Sequence, residues 1–207
     1  MLDFLKRLLG GGNEIAASHP GRLRADVVRV ASSYPLWPSV LAVAWIVSLL
    51  AVIDGFHYTA LLLLAVATYA NYAWWSSIRS WFHNGDVCPA AIISAEPLLI
   101  ATLTDLTAGE GAYPAIKIRR EPIRRWRDGG KVGSPVPCVA RYDGTPGAAH
   151  WTNFHPRPVQ CATADETEIK RLLVEIEKPR WAELQAAIRQ LPKPFRPGLY
   201  RLDAAPG

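Results

Sequence analysis

The sequence predicts an α+β protein: a two-helix transmembrane hairpin followed by a small β-rich, barrel-like domain that ends in two C-terminal helices. Three observations predict it. Two long apolar stretches stand back to back in the N-terminal third. From Gly85 the chain breaks into short β-rich segments separated by turn residues, and near its end two segments carry apolar residues at helical spacing. The 207 residues accordingly divide into an amphipathic start with a flexible juxtamembrane segment (1–35), the hairpin (36–81) and a cytoplasmic domain (82–207).

Met1 to Leu9, "MLDFLKRLL", gathers leucines on one side of a short helix with Lys6 and Arg7 beside them, a pattern suited to a membrane surface. Gly10 to Gly12 end it, and the polar run to Gly21 reads as a link. Arg22 to Ser33 favours helix only slightly.

Leu36 to Ile53 holds eighteen residues without a charge, and Phe56 to Ile78 holds twenty-three. Each is long enough for a hydrocarbon core of about 30 Å at about 1.5 Å per residue. Asp54 and Gly55 leave room only for a tight turn. The first stretch is too long, and starts too late, for a cleaved signal peptide. Basic residues flank both ends of the pair while the tip carries only Asp54, so both termini are expected in the cytoplasm and the protein in a bacterial inner membrane, as a multi-pass protein. Small residues recur along both stretches (Ala44, Ser48 and Ala51; Ala60, Ala67 and Ala70) and permit close packing, within one hairpin or between copies in a homo-oligomer. Tyr72, Trp74 and Trp75 read as an aromatic belt.

In the domain, "VCPAAII", "LLIATLTDL", "YPAIKI" and "PVPCVARY" have strand composition and are parted by "SAEP", "TAGEGA" and "RDGGKVGS". Five or six such strands suit a curved sheet or barrel. Asp165 with Glu168 three residues on forms a capping-box signature ahead of Ile169, Leu172, Leu173 and Ile176. Pro179 opens a second helix whose apolar face is Trp181, Leu184, Ile188 and Leu191. "LYRL" is expected to add an edge strand.

Composition is moderate: 50% hydrophobic, 20% charged, net charge +5. Cys88, Cys138 and Cys161 are odd in number and lack a C-x-x-C pair, which offers neither a disulfide framework nor a zinc ribbon. No G-x-S-x-G, H-E-x-x-H or phosphate-loop pattern occurs, and Asp105, Glu121 and Asp143 stand near turns without evident partners. No catalytic residue, cofactor or metal is expected. His150 and His155, five apart in an extended segment, point to opposite sides, and His155 lies about 20 Å along such a segment from Cys161.

Two binding surfaces are the candidate sites. In "KIRREPIRRWRDGGK", Arg119, Arg120, Arg124, Arg125, Arg127 and Lys131 surround Trp126, a chemistry that meets anionic lipid headgroups or an acidic protein surface. Nucleic acid is disfavoured by the modest net charge. Trp151 and His155 in "HWTNFHPRPVQC" form the second.

The order of "GDVCPAAIISAEPLLIATLTDL", "YPAIKIRREPI", "VPCVARY", "HWTNFHPRPV", the helix of Trp181 and "PGLYRL" resembles bacterial membrane-hairpin proteins with a small β-rich domain of unknown function, of the domain-of-unknown-function 3239 type. The resemblance covers roughly Phe82 to Leu202, implies the domain limits, and brings no active residues with it. The expected function is a membrane-anchored binding or scaffolding domain that meets lipid and a protein partner at the inner membrane surface. The alternative is a membrane-bound enzyme whose active site has no recognisable motif.

Overall fold

The computed structural model describes residues 18–55, 57–121, 131–145 and 147–202. The amphipathic start expected at Met1 to Leu9 lies outside them.

Helix α1 (Val27–Ser33) begins where the Asp26 carboxylate accepts hydrogen bonds from the N–H groups of Val28 and Arg29. Tyr34 and Pro35 lead into α2 (Leu36–Ile53), and after the turn at Asp54 and Gly55 the chain returns as α3 (His57–Asn84). Gly55 has φ 96°, a left-handed conformation that glycine adopts without Cβ strain. The two helices pack on each other along buried Ser48, Ala60 and Ala67, and Trp45 Nε1 donates to Thr68 Oγ1 across them at 3.1 Å. Among the described residues α2 alone is long and apolar enough to cross a membrane. The two spans expected from sequence thus reduce to one by this measure, because α3 carries Tyr58, Thr68, Tyr69, Asn71 and Tyr72 within its apolar stretch and then ends on the turns of Ser76, Ser77, Arg79, Ser80 and His83. Those turns belong to the domain: Ile78 and Phe82 are buried in its core.

Six strands follow: β1 (Asp86–Ala95), β2 (Leu98–Asp105), β3 (Pro114–Arg120), β4 (Pro135–Asp143), β5 (Asn153–Pro158) and β6 (Gly198–Arg201). They form one antiparallel sheet in the order β5-β4-β1-β2-β3-β6. Side chains alternate between its faces. On one face Val87 and Val139 pack with Leu172 of α4 (Glu166–Glu175), with Ile176 just after it, with Phe82 of α3 and with Val30 of α1. Further along that face Ala91, Ile93, Leu99, Ile116 and Ile118 pack with Leu184 and Ala187 of α5 (Lys178–Gln190). The other face carries Cys88, Ala90, Ile92, Ile100, Ala115, Cys138, Ala140 and Phe154. It is lined largely by small side chains, as the inside of a curled sheet must be.

The curl can be read from two hydrogen bonds. Lys117 and Arg119 of β3 reach β5, donating to the carbonyls of Phe154 at 2.6 Å and Pro156 at 2.9 Å. Three strands separate β3 from β5, which is roughly 19 Å in a flat sheet at about 4.8 Å per strand. No lysine spans that distance, so the sheet bends until its ends face each other. The resulting half-barrel is closed by side chains rather than by backbone pairing. The same bonds blunt the β5 edge: the outward carbonyls of Phe154 and Pro156 are taken, and Pro156 and Pro158 have no N–H to offer.

The helices end as expected, with one change. Asp165 caps α4 by accepting from Thr167 N–H, and Pro179 sits in the first turn of α5. Glu168 does not complete the capping box; it pairs with Arg171, and Thr163 Oγ1 accepts the Asp165 N–H instead.

The N-terminal approach is not a free linker. The N–H groups of Gly21, Arg22 and Leu23 donate to the carbonyls of Gly85, His83 and Phe82 at 2.9–3.1 Å. This satisfies groups that the end of α3 leaves without helical partners. Leu23 and Val30 are core residues.

Candidate functional site at the base of the helical hairpin

"HWTNFHPRPVQC" becomes β5 followed by a 3-10 turn at Val159–Cys161. Alternation along β5 sends Phe154, Pro156 and Pro158 inward and leaves Asn153, His155 and Arg157 half-buried on the helix-bearing face. There the strand meets Trp81 of α3 and Tyr34, the residue between α1 and α2.

Arg157 carries this contact. Its guanidinium lies 4.2 Å from the Trp81 ring centroid and 5.1 Å from that of Tyr34. Burial lowers its pKa while Tyr34 and Glu121 favour the charged form. Nearby, Glu121 is 4% exposed, accepts from Tyr34 Oη at 3.0 Å and lies 3.4 Å from Arg119 Nε. Desolvation raises its pKa against the pull of Arg119. One Glu121 oxygen, Arg157 Nη1 and Gln160 Oε1 make no hydrogen bond among the described residues. A buried, imperfectly satisfied polar cluster therefore sits where both helices enter the domain.

On the same strand, His155 Nε2 and Asp143 Oδ2 are 2.6 Å apart and about 40% exposed. Burial pushes the His155 pKa down and Asp143 pulls it back. Trp81 stands edge-on to the imidazole at 6.4 Å. Arg141 lies 5.6 Å from the centroid of the Trp81 ring and donates to Ser80 Oγ. Such a pair can take up a proton, but none of the three thiols stands beside it.

The thiols are buried. Cys88 and Cys138 face each other across β1 and β4, and Cys161 closes the 3-10 turn. Desolvation pushes Cys88 up to about 12 and Cys161 to about 11, and raises Cys138 as well. Thr104 Oγ1, Tyr142 Oη and Asp86 Oδ2 form a hydrogen-bonded chain beside Cys88. Among the described residues no three His, Cys, Asp or Glu side chains gather to hold a metal.

Of the residues singled out from sequence, Arg119 is committed to Pro156 and Glu121, whereas Arg120 and Lys131 are exposed. Arg124, Arg125, Trp126 and Arg127 lie outside the described residues. Trp151 and His155 do not share a surface. Trp151 packs on the inner cluster and on Tyr142, and occupies the space a Cβ at Gly144 would need, while His155 faces Trp81. His150 packs on Tyr113 with the rings tilted and their centroids 4.6 Å apart. The three carboxylates without evident partners all have one: Asp105 accepts from the N–H groups of Thr107 and Tyr113, Glu121 has Tyr34, and Asp143 has His155. Sequence reasoning missed Tyr34, Trp81 and Arg157. The signal available was the arginine between two prolines, which fixes an extended strand and a projecting cation.

The family model described as "Protein of unknown function (DUF3239)" matches residues 74–192, from the last turns of α3 to just beyond α5. A solved structure described as "Crystal structure of a putative membrane protein from Corynebacterium diphtheriae" is 24% identical, with a TM-score of 0.48 over 56% of this chain and 100% of that one. No curated protein matches the sequence.

Proposed function

The chain belongs to the DUF3239 family, and from that premise we propose that it is a membrane-anchored binding or scaffolding protein whose α+β domain works at the cytoplasmic face of the inner membrane. The observation that carries this reading is the outer surface of α2 and α3. Leu36 and Ile53 are 70% and 72% exposed, and Leu50, Leu62, Leu63 and Val66 are more than half exposed. Water penalises such a surface at about 25 cal/mol per Å², whereas lipid does not. Both helices then cross as a hairpin with both termini in the cytoplasm, the orientation that the basic flanks favour.

The role follows from how the domain is held. Helix α3 runs without a break into the domain core, and Arg157 grips Trp81 and Tyr34, so the domain keeps one orientation relative to the hairpin. A fixed orientation presents one face of the sheet and its helices to partners in the same membrane, and confinement raises their effective concentration.

Two measurements test the reading. Alkaline-phosphatase fusions should be inactive after Gly207 and active at Asp54, and the chain should stay in the membrane pellet after carbonate extraction. Crosslinking in intact membranes should then attach a specific protein to the domain. Release by carbonate would remove the anchor, and crosslinks to lipid alone would remove the scaffold.

A further inference from the structure

Resting on the reading of α3 as a membrane helix, we propose that Arg22, Arg24 and Arg79 bind the phosphate of an anionic phospholipid where α3 leaves the bilayer. This site is distinct from the basic segment Lys117–Lys131, whose first two cations are spent on β5.

The placement comes from backbone hydrogen bonds. Arg22 N–H donates to His83 O at 2.9 Å and Leu23 N–H to Phe82 O at 3.1 Å, so this segment runs back along the end of α3. Leu23 is buried, and Arg22 and Arg24 on either side of it are exposed. Arg79 and His83, four residues apart, share one side of the helix. Arg22 therefore lies beside His83, and Arg24 lies nearer the level of Arg79. One turn below stand Trp74 and Trp75, edge to face at 4.4 Å and packed against the core cluster of Leu23 and Phe82; tryptophan at this point of a helix also suits the headgroup level of a bilayer.

The backbone hydrogen bonds hold Arg22 at φ 47°, a left-handed conformation that is uncommon without glycine. One further observation points to a ligand rather than to chance charge. None of the three arginines pairs with a carboxylate among the described residues. The acids that come near are engaged elsewhere: Asp26 caps α1, Asp86 accepts from His19 N–H and Tyr142 Oη, and Glu168 and Glu175 hold Arg171, which also donates to Gly21 O. Cations at a helix C-terminus also suit its dipole, so the test needs a readout that this structural role would not move.

The full chain is reconstituted in nanodiscs of phosphatidylcholine with phosphatidylglycerol, and the lipid retained after transfer to detergent is measured by native mass spectrometry. Wild type should retain phosphatidylglycerol over phosphatidylcholine. R22Q/R24Q/R79Q should lose that preference, by about fivefold for each arginine removed, while its Tm in detergent stays near wild type; R120Q/K131Q should keep it. If the triple variant does not fold, R24Q and R79Q are read singly. Unchanged retention in the arginine variants, or loss only in R120Q/K131Q, overturns the site. Displacement of the lipid by millimolar inorganic phosphate would make it a free-phosphate site and overturn the lipid assignment. Carbonate extraction separates the two readings: a chain that stays in the membrane but shows no lipid preference refutes this inference alone.

Discussion

Arg157 of β5 lies over Trp81 of α3, 4.2 Å from the ring centroid, and Tyr34 flanks the guanidinium at 5.1 Å. An edge strand of the sheet thus clamps the end of α3 and the residue that leads into α2. Desolvated cation–π contacts of this kind contribute about 2 kcal/mol or more. Arg157→Ala should cost about 3 kcal/mol, since it also leaves buried Glu121 with less opposing charge. Arg157→Lys should recover only part of it, because an ammonium lacks the planar stacking surface. A double-mutant cycle with Trp81→Leu, followed by thermal unfolding in detergent, should show coupling above about 1 kcal/mol. Additive losses would mean that the two side chains stabilise the fold independently.

Gly85 joins α3 to β1, and a Cβ there would stand 2.5 Å from Trp81 O, 2.6 Å from Val139 Cγ1 and 2.8 Å from Ala140 O. Two of these are backbone atoms that no rotamer change can move. Gly85→Ala should lower stability by about 3 kcal/mol, at the upper end of overpacking costs. Gly133→Ala has nothing within 4 Å but a φ of 88°, and should cost less. A melting temperature for Gly85→Ala equal to wild type would show that the junction can open.

The thiols should be silent in the native protein. Burial holds Cys88 near 12 and Cys161 near 11, so almost no thiolate exists at pH 8. Labelling by a maleimide at pH 8 should be slow until denaturant is added, and then reach all three positions. Rapid labelling without denaturant would place at least one thiol at the surface.

His155 has its pKa lowered from 6.5, with burial the larger cause and Asp143 opposing it. The unfolded chain therefore binds a proton more readily than the folded one. The His155 contribution is fully favourable above about pH 6.5 and is lost as pH falls from there through the folded pKa. Asp143→Asn should depress the imidazole titration further, and His155→Gln should flatten the stability slope in that window. Titration by NMR with a midpoint above 6.5 would reverse the sign and make Asp143 the dominant influence.

Local structure was legible because its causes are contiguous. Turn residues and β-rich runs placed the strands of Val87, Leu98, Ala115 and Val136, and the Asp165 and Pro179 signals placed α4 and α5. Each depends on the side chains of one segment meeting their own backbone, which a linear reading contains. Apolar length likewise marked the helical pair, although α3 gives up its last turns to the domain.

Pairing was decided only by the tertiary structure. That β5 joins β4, that the sheet curls until Lys117 and Arg119 meet β5, and that Leu23 seals the end of α3 are choices among many segments of similar composition. The same holds for the candidate site. Tyr34, Trp81 and Arg157 are ordinary residues in their own segments and become a clamp only when three elements converge. A cation over an aromatic ring is a property of distance, and sequence spacing sets distance only within one helix or one strand.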